Sequence, residues 1–270
     1  MTWESLINIY ASTGKPVTQQ RKANEFKHSR WDRLRKLEVD QTSGTDFLDL
    51  MHQGGQMTQI YLSAIQQLAL DIGARTHVVL PRKMWPKIHK VTKRAITEDE
   101  HRMLCSNMQS RSWKTFLQIL WETGAAQSDA ASFRIEKLTG DVLEYNRMKT
   151  GRRAAQRISK QLQRMLASVA AQRTQGYFLP MLERTCAKDR ASMFRRACLR
   201  CNITGVTLHS YRYAWAERAF SEGMPERLAM IALGHNSAAI HRVYAKGANV
   251  VAPCLNDCQS VEENQKKERP

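Results

Sequence analysis

A chain of 270 residues, 42% of them hydrophobic, is long enough for two modest domains or one large one and can bury a real core. Lys and Arg number 42 against 25 acids, a formal charge of +17, and an excess of that size points first to nucleic acid as the partner. No apolar run approaches the ~18 residues that cross a membrane, and MTWESLINIY, with Glu4 and no basic leader, does not read as a signal peptide, so a cytoplasmic protein without a membrane partner is expected.

Residues 1–75 read as helical. Trp3, Leu6, Ile7 and Tyr10 recur at helical spacing, and Gly14-Lys15-Pro16 closes that segment. Val17 to Leu37 reads as one long basic helix carrying Arg21, Lys22, Lys27, Arg30, Arg33, Arg35 and Lys36 beside Phe26, Trp31 and Leu34. By itself such a helix is as well explained by a solvated face as by a DNA contact. Asp46 to Met51 reads as a short helix and Gly54-Gly55 breaks it. Thr58 to Ile72 follows, with Ile60, Tyr61, Ala64, Ile65 and Leu68 as the expected buried face.

Residues 76–94 are the expected linker. Leu80-Pro81 and Trp85-Pro86 disfavour continuous helix. Arg82, Lys83, Lys87, Lys90 and Lys93, with no acid among them, suit a segment lying on a duplex and closing two lobes round it.

A second region is expected over 95–253. Thr97-Glu98-Asp99-Glu100 opens it with a capping box. Trp113 to Trp121 is an apolar helix stopped at Thr123-Gly124. Asp141 to Met148 alternates like a strand, Lys149-Thr150-Gly151 turns, and Ala154 to Ile158 returns. Ser159 caps the next helix, to about Gln172. Tyr145 to Leu182 holds eight basic residues, Arg147, Arg152 and Arg153 among them, and no Asp or Glu. A phosphate-lined groove has that one-sidedness.

Six cysteines raise one alternative, a four-thiolate zinc site from Cys198-x-x-Cys201 and Cys254-x-x-x-Cys258. The first pair lies in a helix-like run without knuckle glycines and the second in a polar tail. Reduced thiols are the better reading, and no metal is expected. Residues 254–270 read as a polar, disordered tail.

Thr207 to Lys246 carries the chemistry. His209 and Arg212 stand three apart at the start of an apolar-periodic run, on one face and in the first turn of a helix, where the dipole favours anions. Leu233-Gly234-His235 follows, with the glycine ending a short helix over Glu226 to Leu233. Tyr244 stands nine residues after His235. A guanidinium grips phosphate oxygens in pairs, imidazoles move protons near neutral pH, and a phenol can attack as an oxygen nucleophile. The set suits a phosphodiester.

H-x-x-R, then L-G-H, then a tyrosine, in this order and spacing, resembles the tyrosine recombinases, the phage integrase family. The opening Ile96-Thr97-x-x-Glu100 and the Lys149-Thr150-Gly151 hairpin are similar to that family's as well. The resemblance implies a mostly α fold with a small β-hairpin or sheet. A four-helix, SAM-like core-binding domain would occupy 1–75 and a mixed α/β catalytic domain 95–253, with no arm-binding domain ahead of them. It implies site-specific DNA recombination of the integration and excision type found on mobile elements.

In that mechanism Tyr244 attacks the scissile phosphate and forms a 3′-phosphotyrosyl bond. Lys149 protonates the leaving 5′ oxygen, Arg212 holds the phosphorane's charge, and His209 and His235 bond the phosphate and assist proton transfer. No cofactor is implied, because the covalent link conserves the energy. The partners implied are double-stranded DNA, three further copies of the chain in a homotetramer on two DNA sites, and accessory directionality factors, in a nucleoid setting. Arg21, Lys22, Arg30, Lys83, Lys87, Arg147, Arg152 and Arg153 become the expected DNA contacts.

One departure stands out. The family pattern T-G-x-R-x-x-E is Thr123-Gly124-Ala125-Ala126-Gln127-Ser128-Asp129 here, so Ala126 replaces the first phosphate-gripping arginine and Asp129 keeps the acid. Losing one preorganised donor to a developing anion costs on the order of 10²–10³ in rate. Tyrosine ordinarily ionises near pH 10, so the attack needs a base or a cationic site. Arg147, Arg152 and Arg153 are the candidate substitutes. The alternatives are a catalytically impaired DNA-binding protein on the same fold, a topoisomerase-like nicking-closing enzyme, and a helical DNA-binding regulator of unrelated fold.

Overall fold

The computed structural model describes residues 1–88, 94–235 and 237–248, with the side chain of Ile240 left out. Two compact units divide the chain, Met1–Val91 and Thr92–Pro270.

The first unit is helical. α1 (Trp3–Ala11) is capped by Thr2, whose hydroxyl accepts from the Ser5 amide. α2 (Pro16–Phe26) starts on a proline, which suits a first turn. After a 3-10 turn at Ser29–Trp31 come α3 (Asp32–Lys36), α4 (Gly44–Gln53) and α5 (Gln56–Asp71). Ser43 and Asp46 form a capping box at the start of α4. Trp3, Leu6, Phe26, Trp31, Phe47, Leu62 and Ile65 make the core.

The single helix expected over Val17 to Leu37 is therefore two helices and a turn. Five residues along one helix are about 140° apart, so a straight helix would aim Phe26 and Trp31 at different sides. The break at His28 turns both inward, with ring centroids 4.7 Å apart. On α5, Ile60 points outward and the buried set is Thr58, Tyr61, Leu62, Ile65, Gln66 and Ala69.

Lys22 also departs from expectation. It is 5% exposed, and its ammonium donates to Tyr10 O (2.7 Å), Thr13 O (3.0 Å) and Thr13 Oγ1 (2.8 Å). It closes the C-terminal end of α1 and is not placed to meet DNA.

The stretch expected as a linker belongs in part to this unit's fold. Leu80 is buried among the helices, Gln66 Oε1 accepts from the Val79 and Leu80 amides, and the Trp85 indole donates to Leu80 O. Lys83 and Lys87 are exposed, while Lys90 and Lys93 lie outside the described residues.

The second unit begins with α6 (Glu98–Asn107), whose Thr97–Glu100 capping box forms both of its bonds. α7 (Arg111–Thr123) is the central helix, with Phe116, Leu117, Ile119 and Leu120 fully buried. It packs against α6 and the later helices α9 (Lys160–Ala170) and α12 (Ser210–Ser221). Between α7 and α9 lie α8 (Gln127–Ala131) and an antiparallel sheet of β1 (Leu138–Thr139), β2 (Val142–Asn146) and β3 (Arg153–Arg157), in that order. Tyr145 pairs with Ala154 and Leu143 with Gln156, and all four face the core. β1 is two residues long, too short to show any alternation in sequence.

α10 (Pro180–Arg184) and α11 (Ala187–Arg200) precede α12, and α13 (Glu226–Leu233) and α14 (Ala238–Ala245) follow it. Cys198 and Cys201 end α11, whereas Cys254 and Cys258, the other half of the zinc alternative, lie outside the described residues, as do 254–270. No helix among the described residues is long and apolar enough to cross a membrane.

Candidate active site

Arg212 is the centre of the site. It lies in the first turn of α12 and is 1% exposed. A buried guanidinium must have its N–H groups met. Nη1 donates to Gly124 O at 3.0 Å and Nη2 to Leu233 O at 2.5 Å. Both carbonyls are at helix C-terminal ends, of α7 and α13, where the backbone dipole is negative. Burial, and then the neighbouring charge of Arg147, bring the Arg212 pKa down to about 10, which leaves it charged at neutral pH.

These anchors depend on two glycines. Gly124 (φ 59°) and Gly234 (φ 60°) end α7 and α13 in the left-handed conformation. A Cβ on Gly124 would lie 2.6 Å from Leu233 Cδ2 and 2.8 Å from Trp215 Cβ. A Cβ on Gly234 would overlap the Arg147 side chain.

The L-G-H turn is held by three arginines on three successive carbonyls. Arg212 takes Leu233 O, Arg147 Nη1 takes Gly234 O at 3.0 Å, and Arg152 Nη1 takes His235 O at 3.2 Å. Arg147 and Arg152 come from the two sides of the β2–β3 hairpin. The turn is thus tied from one side by α12 and from the other by the sheet.

Tyr244, on α14, is half-buried against α12 and α13. Its hydroxyl is 2.9 Å from His209 Nε2. The His235 ring stacks on the phenol with centroids 4.7 Å apart, Tyr213 lies against it at 4.7 Å, and Arg212 Cζ is 5.4 Å from its centroid. His209, Arg212, His235 and Tyr244, dispersed over three helices, are therefore brought together.

His235 is 4% exposed, and its Nδ1 lies 3.2 Å from His241 Nδ1. Its Nε2 is buried without a hydrogen-bond partner among the described residues. Burial above all, then the charges of Arg212, His241, Arg147 and His209, push its pKa down to about 3. The ring is neutral at pH 7. One of the two facing Nδ1 atoms then carries the shared proton, and a neutral His235 has one N–H to donate and one lone pair to offer.

Lys149 is exposed at the hairpin turn and makes no hydrogen bond or ion pair among the described residues. The structure does not bring it to Tyr244. Arg153 points outward and pairs with Glu144 at 2.6 Å. Arg21 is exposed on α2, and Arg30 donates weakly to Gln53 O at 3.4 Å, both within the first unit.

Sequence reading missed His241 and Tyr213. His241 stands three residues before Tyr244, and that spacing puts both on one face of a helix. Tyr213 directly follows Arg212 and gave no separate signal.

The sequence model of the phage integrase family matches residues 94–249, more than half of the chain. No curated protein sequence matches it significantly. Several solved structures share its fold. A λ integrase dimer bound to a COC′ core site matches with a TM-score of 0.77 at 15% identity, covering 94% of this chain and 100% of that one. A λ integrase tetramer bound to a Holliday junction gives 0.72 at 14%, covering 94% and 79%. The Tn1549 transposon integrase in complex with transposon right end DNA gives 0.72 at 14%, covering 98% and 100%. With its histidines, buried arginine and tyrosine gathered on this fold, the chain belongs to the phage integrase family and is a tyrosine recombinase.

Proposed function

We propose that the chain cuts and rejoins DNA at a specific site through a 3′-phosphotyrosyl intermediate at Tyr244. The observation that carries this reading is the Tyr244 hydroxyl lying 2.9 Å from His209 Nε2, with the His235 ring stacked on the phenol and Arg212 Cζ 5.4 Å from its centroid. Tyr244 Oη attacks phosphorus and its proton passes to His209. The P–O5′ bond breaks, and Lys149 gives the departing oxygen a proton once the hairpin turn has closed on DNA. Arg212 neutralises charge on the non-bridging oxygens. His235 donates to one of them from Nε2, an atom with no other partner among the described residues. A 5′-hydroxyl from a partner strand reverses the step, so the site itself needs no external energy source.

The first unit serves as a core-binding domain. Arg21, Arg30, Lys83 and Lys87 contact the DNA backbone from it, and Arg152 and Arg153 do so from the hairpin. Four copies assemble on two sites. Support for this assembly comes from the DNA-bound dimer and tetramer of λ integrase, which share the fold. A binding-only reading rests on one feature, Ala126.

Covalent trapping tests the proposal. A duplex selected for binding is nicked beside the cleavage point so that the released fragment cannot religate, and protein–DNA adducts are resolved on a denaturing gel. An adduct that disappears in Tyr244→Phe is expected. An adduct from Ala126→Arg but none from the natural chain would mean that cutting has been lost and binding retained.

A further inference from the structure

We propose that Arg147 supplies the second phosphate-gripping guanidinium of this site, in place of the arginine absent at Ala126. The inference rests on the reading of the site as a phosphodiester site.

Asp129 marks where the missing group would have worked. It is 3% exposed and sits on α8, three residues after Ala126, which caps that helix. Its Oδ2 accepts from Arg147 Nε at 3.4 Å, and its Oδ1 accepts from the Met148 amide at 3.0 Å. The acid that follows Ala126 on the same short helix therefore holds a guanidinium delivered by another element, the end of β2. Gly234 O holds the other edge of that guanidinium at 3.0 Å, one residue along from the carbonyl that holds Arg212. Arg147 and Arg212 are thus docked on adjacent carbonyls beside His235.

Among the described residues the docking uses two of the five N–H groups of Arg147, which leaves three for an anion. The side chain is 11% exposed, so its rotamer is fixed before any ligand arrives, as a preorganised donor requires. Arg147 and Arg212 also repel each other: after burial, the neighbouring charge of Arg147 holds the Arg212 pKa down. Asp129 is the one carboxylate bonded to either of them among the described residues. A diester brings a negative charge and its phosphorane a second, and either relieves the repulsion.

The other cations fit less well. Arg153 faces outward and is paired with Glu144. Arg152 is exposed and held by a single carbonyl at 3.2 Å. Arg134 is engaged with Glu136 on the surface.

Binding measurements test this without requiring cleavage. In the Tyr244→Phe chain, affinity is measured for a duplex selected from a random-sequence library. It is then measured for a series of the same duplex, each with one neutral methylphosphonate linkage. Arg147→Ala and Arg212→Ala are each expected to lose about 10- to 100-fold on the all-phosphate duplex, as charge-assisted bonds do. Both losses are expected to vanish at the same single linkage, because a neutral phosphonate leaves either guanidinium nothing to neutralise. A structural role gives a loss that no linkage relieves, and that result overturns the proposal. So does relief of the Arg147→Ala loss at a different linkage from that of Arg212→Ala. Should Arg147→Ala melt early, Arg147→Gln keeps a donor for Gly234 O and gives the same readout. If the coupling holds while the natural chain forms no Tyr244 adduct, the cutting reading fails and the assignment of Arg147 stands.

Discussion

Lys22→Met separates a structural lysine from a DNA contact. In the folded chain its ammonium makes three hydrogen bonds to the end of α1 and lies 3.7 Å from the Tyr10 ring centroid. Bonds from a cation are worth about 1.5–3 kcal/mol net, and a cation–π contact adds about 0.5–2 kcal/mol. Methionine recovers some packing, so the expected loss is about 2–4 kcal/mol. In a unit of this size that lowers the melting transition by roughly 10–25 °C. Calorimetry on the full chain reads the first unit's transition. In parallel, DNA affinity is measured against salt concentration. Each phosphate contact contributes about 0.9 to the slope of log affinity against log salt. Lys22→Met is expected to leave that slope unchanged, whereas Arg21→Met, on the exposed side of the same helix, is expected to reduce it by about 0.9. An unchanged melting transition together with a reduced slope for Lys22→Met would refute the reasoning.

Three further outcomes are expected. Gly124→Ala combines a left-handed backbone with overlap onto Leu233 and Trp215, so about 1–2 kcal/mol of conformational cost and about 1–3 kcal/mol of overpacking add up; thermal melting of the second unit checks it, and a wild-type melt would contradict it. His241→Leu removes the side-chain partner that His235 Nδ1 has at 3.2 Å among the described residues and frees its tautomer, so adduct formation is expected to fall about 10-fold or more with DNA affinity held, which single-turnover trapping beside a binding titration measures. Burial holds the pKa of His101, His235 and His241 below that of a free histidine, so the unfolded chain binds more protons than the folded one once the pH drops below about 6.5. Stability is then full above that pH and falls as pH drops toward the folded pKa, about 3 for His235, by up to about 1.4 kcal/mol per pH unit for each ring; denaturant melts between pH 7 and 4.5 would show no such fall if these rings were exposed.

Much of the site was legible because local spacing encodes it. His209 and Arg212 share a helix face by their three-residue separation, Gly234 ends α13 by its left-handed backbone, and Thr97 and Glu100 form the capping box that their types require. The helix break at His28 was not legible, since the basic run from Arg21 to Lys36 carries no glycine or proline. Only the shared core, in which Phe26 and Trp31 meet edge to face, forces the chain to turn. Lys22 looked like its basic neighbours because nothing local says that a lysine's ammonium will end under the last turn of another helix.

The sequence alone determined the family pattern, the capping box that opens the second region, the central apolar helix and the hairpin, and the residue types from which the proposed chemistry is read. These depend on residue type and on separations of a few positions. Only the tertiary structure decided which of the hairpin's cations lies beside Arg212. Arg147, Arg152 and Arg153 are equivalent in a string of basic residues. Strand alternation and the hairpin twist send Arg153 out to Glu144, while Asp129 and Gly234, 18 and 87 positions away, draw Arg147 in beside Arg212. A buried guanidinium is stable only where carbonyls and a carboxylate converge on it, and distant segments converge only in the folded chain.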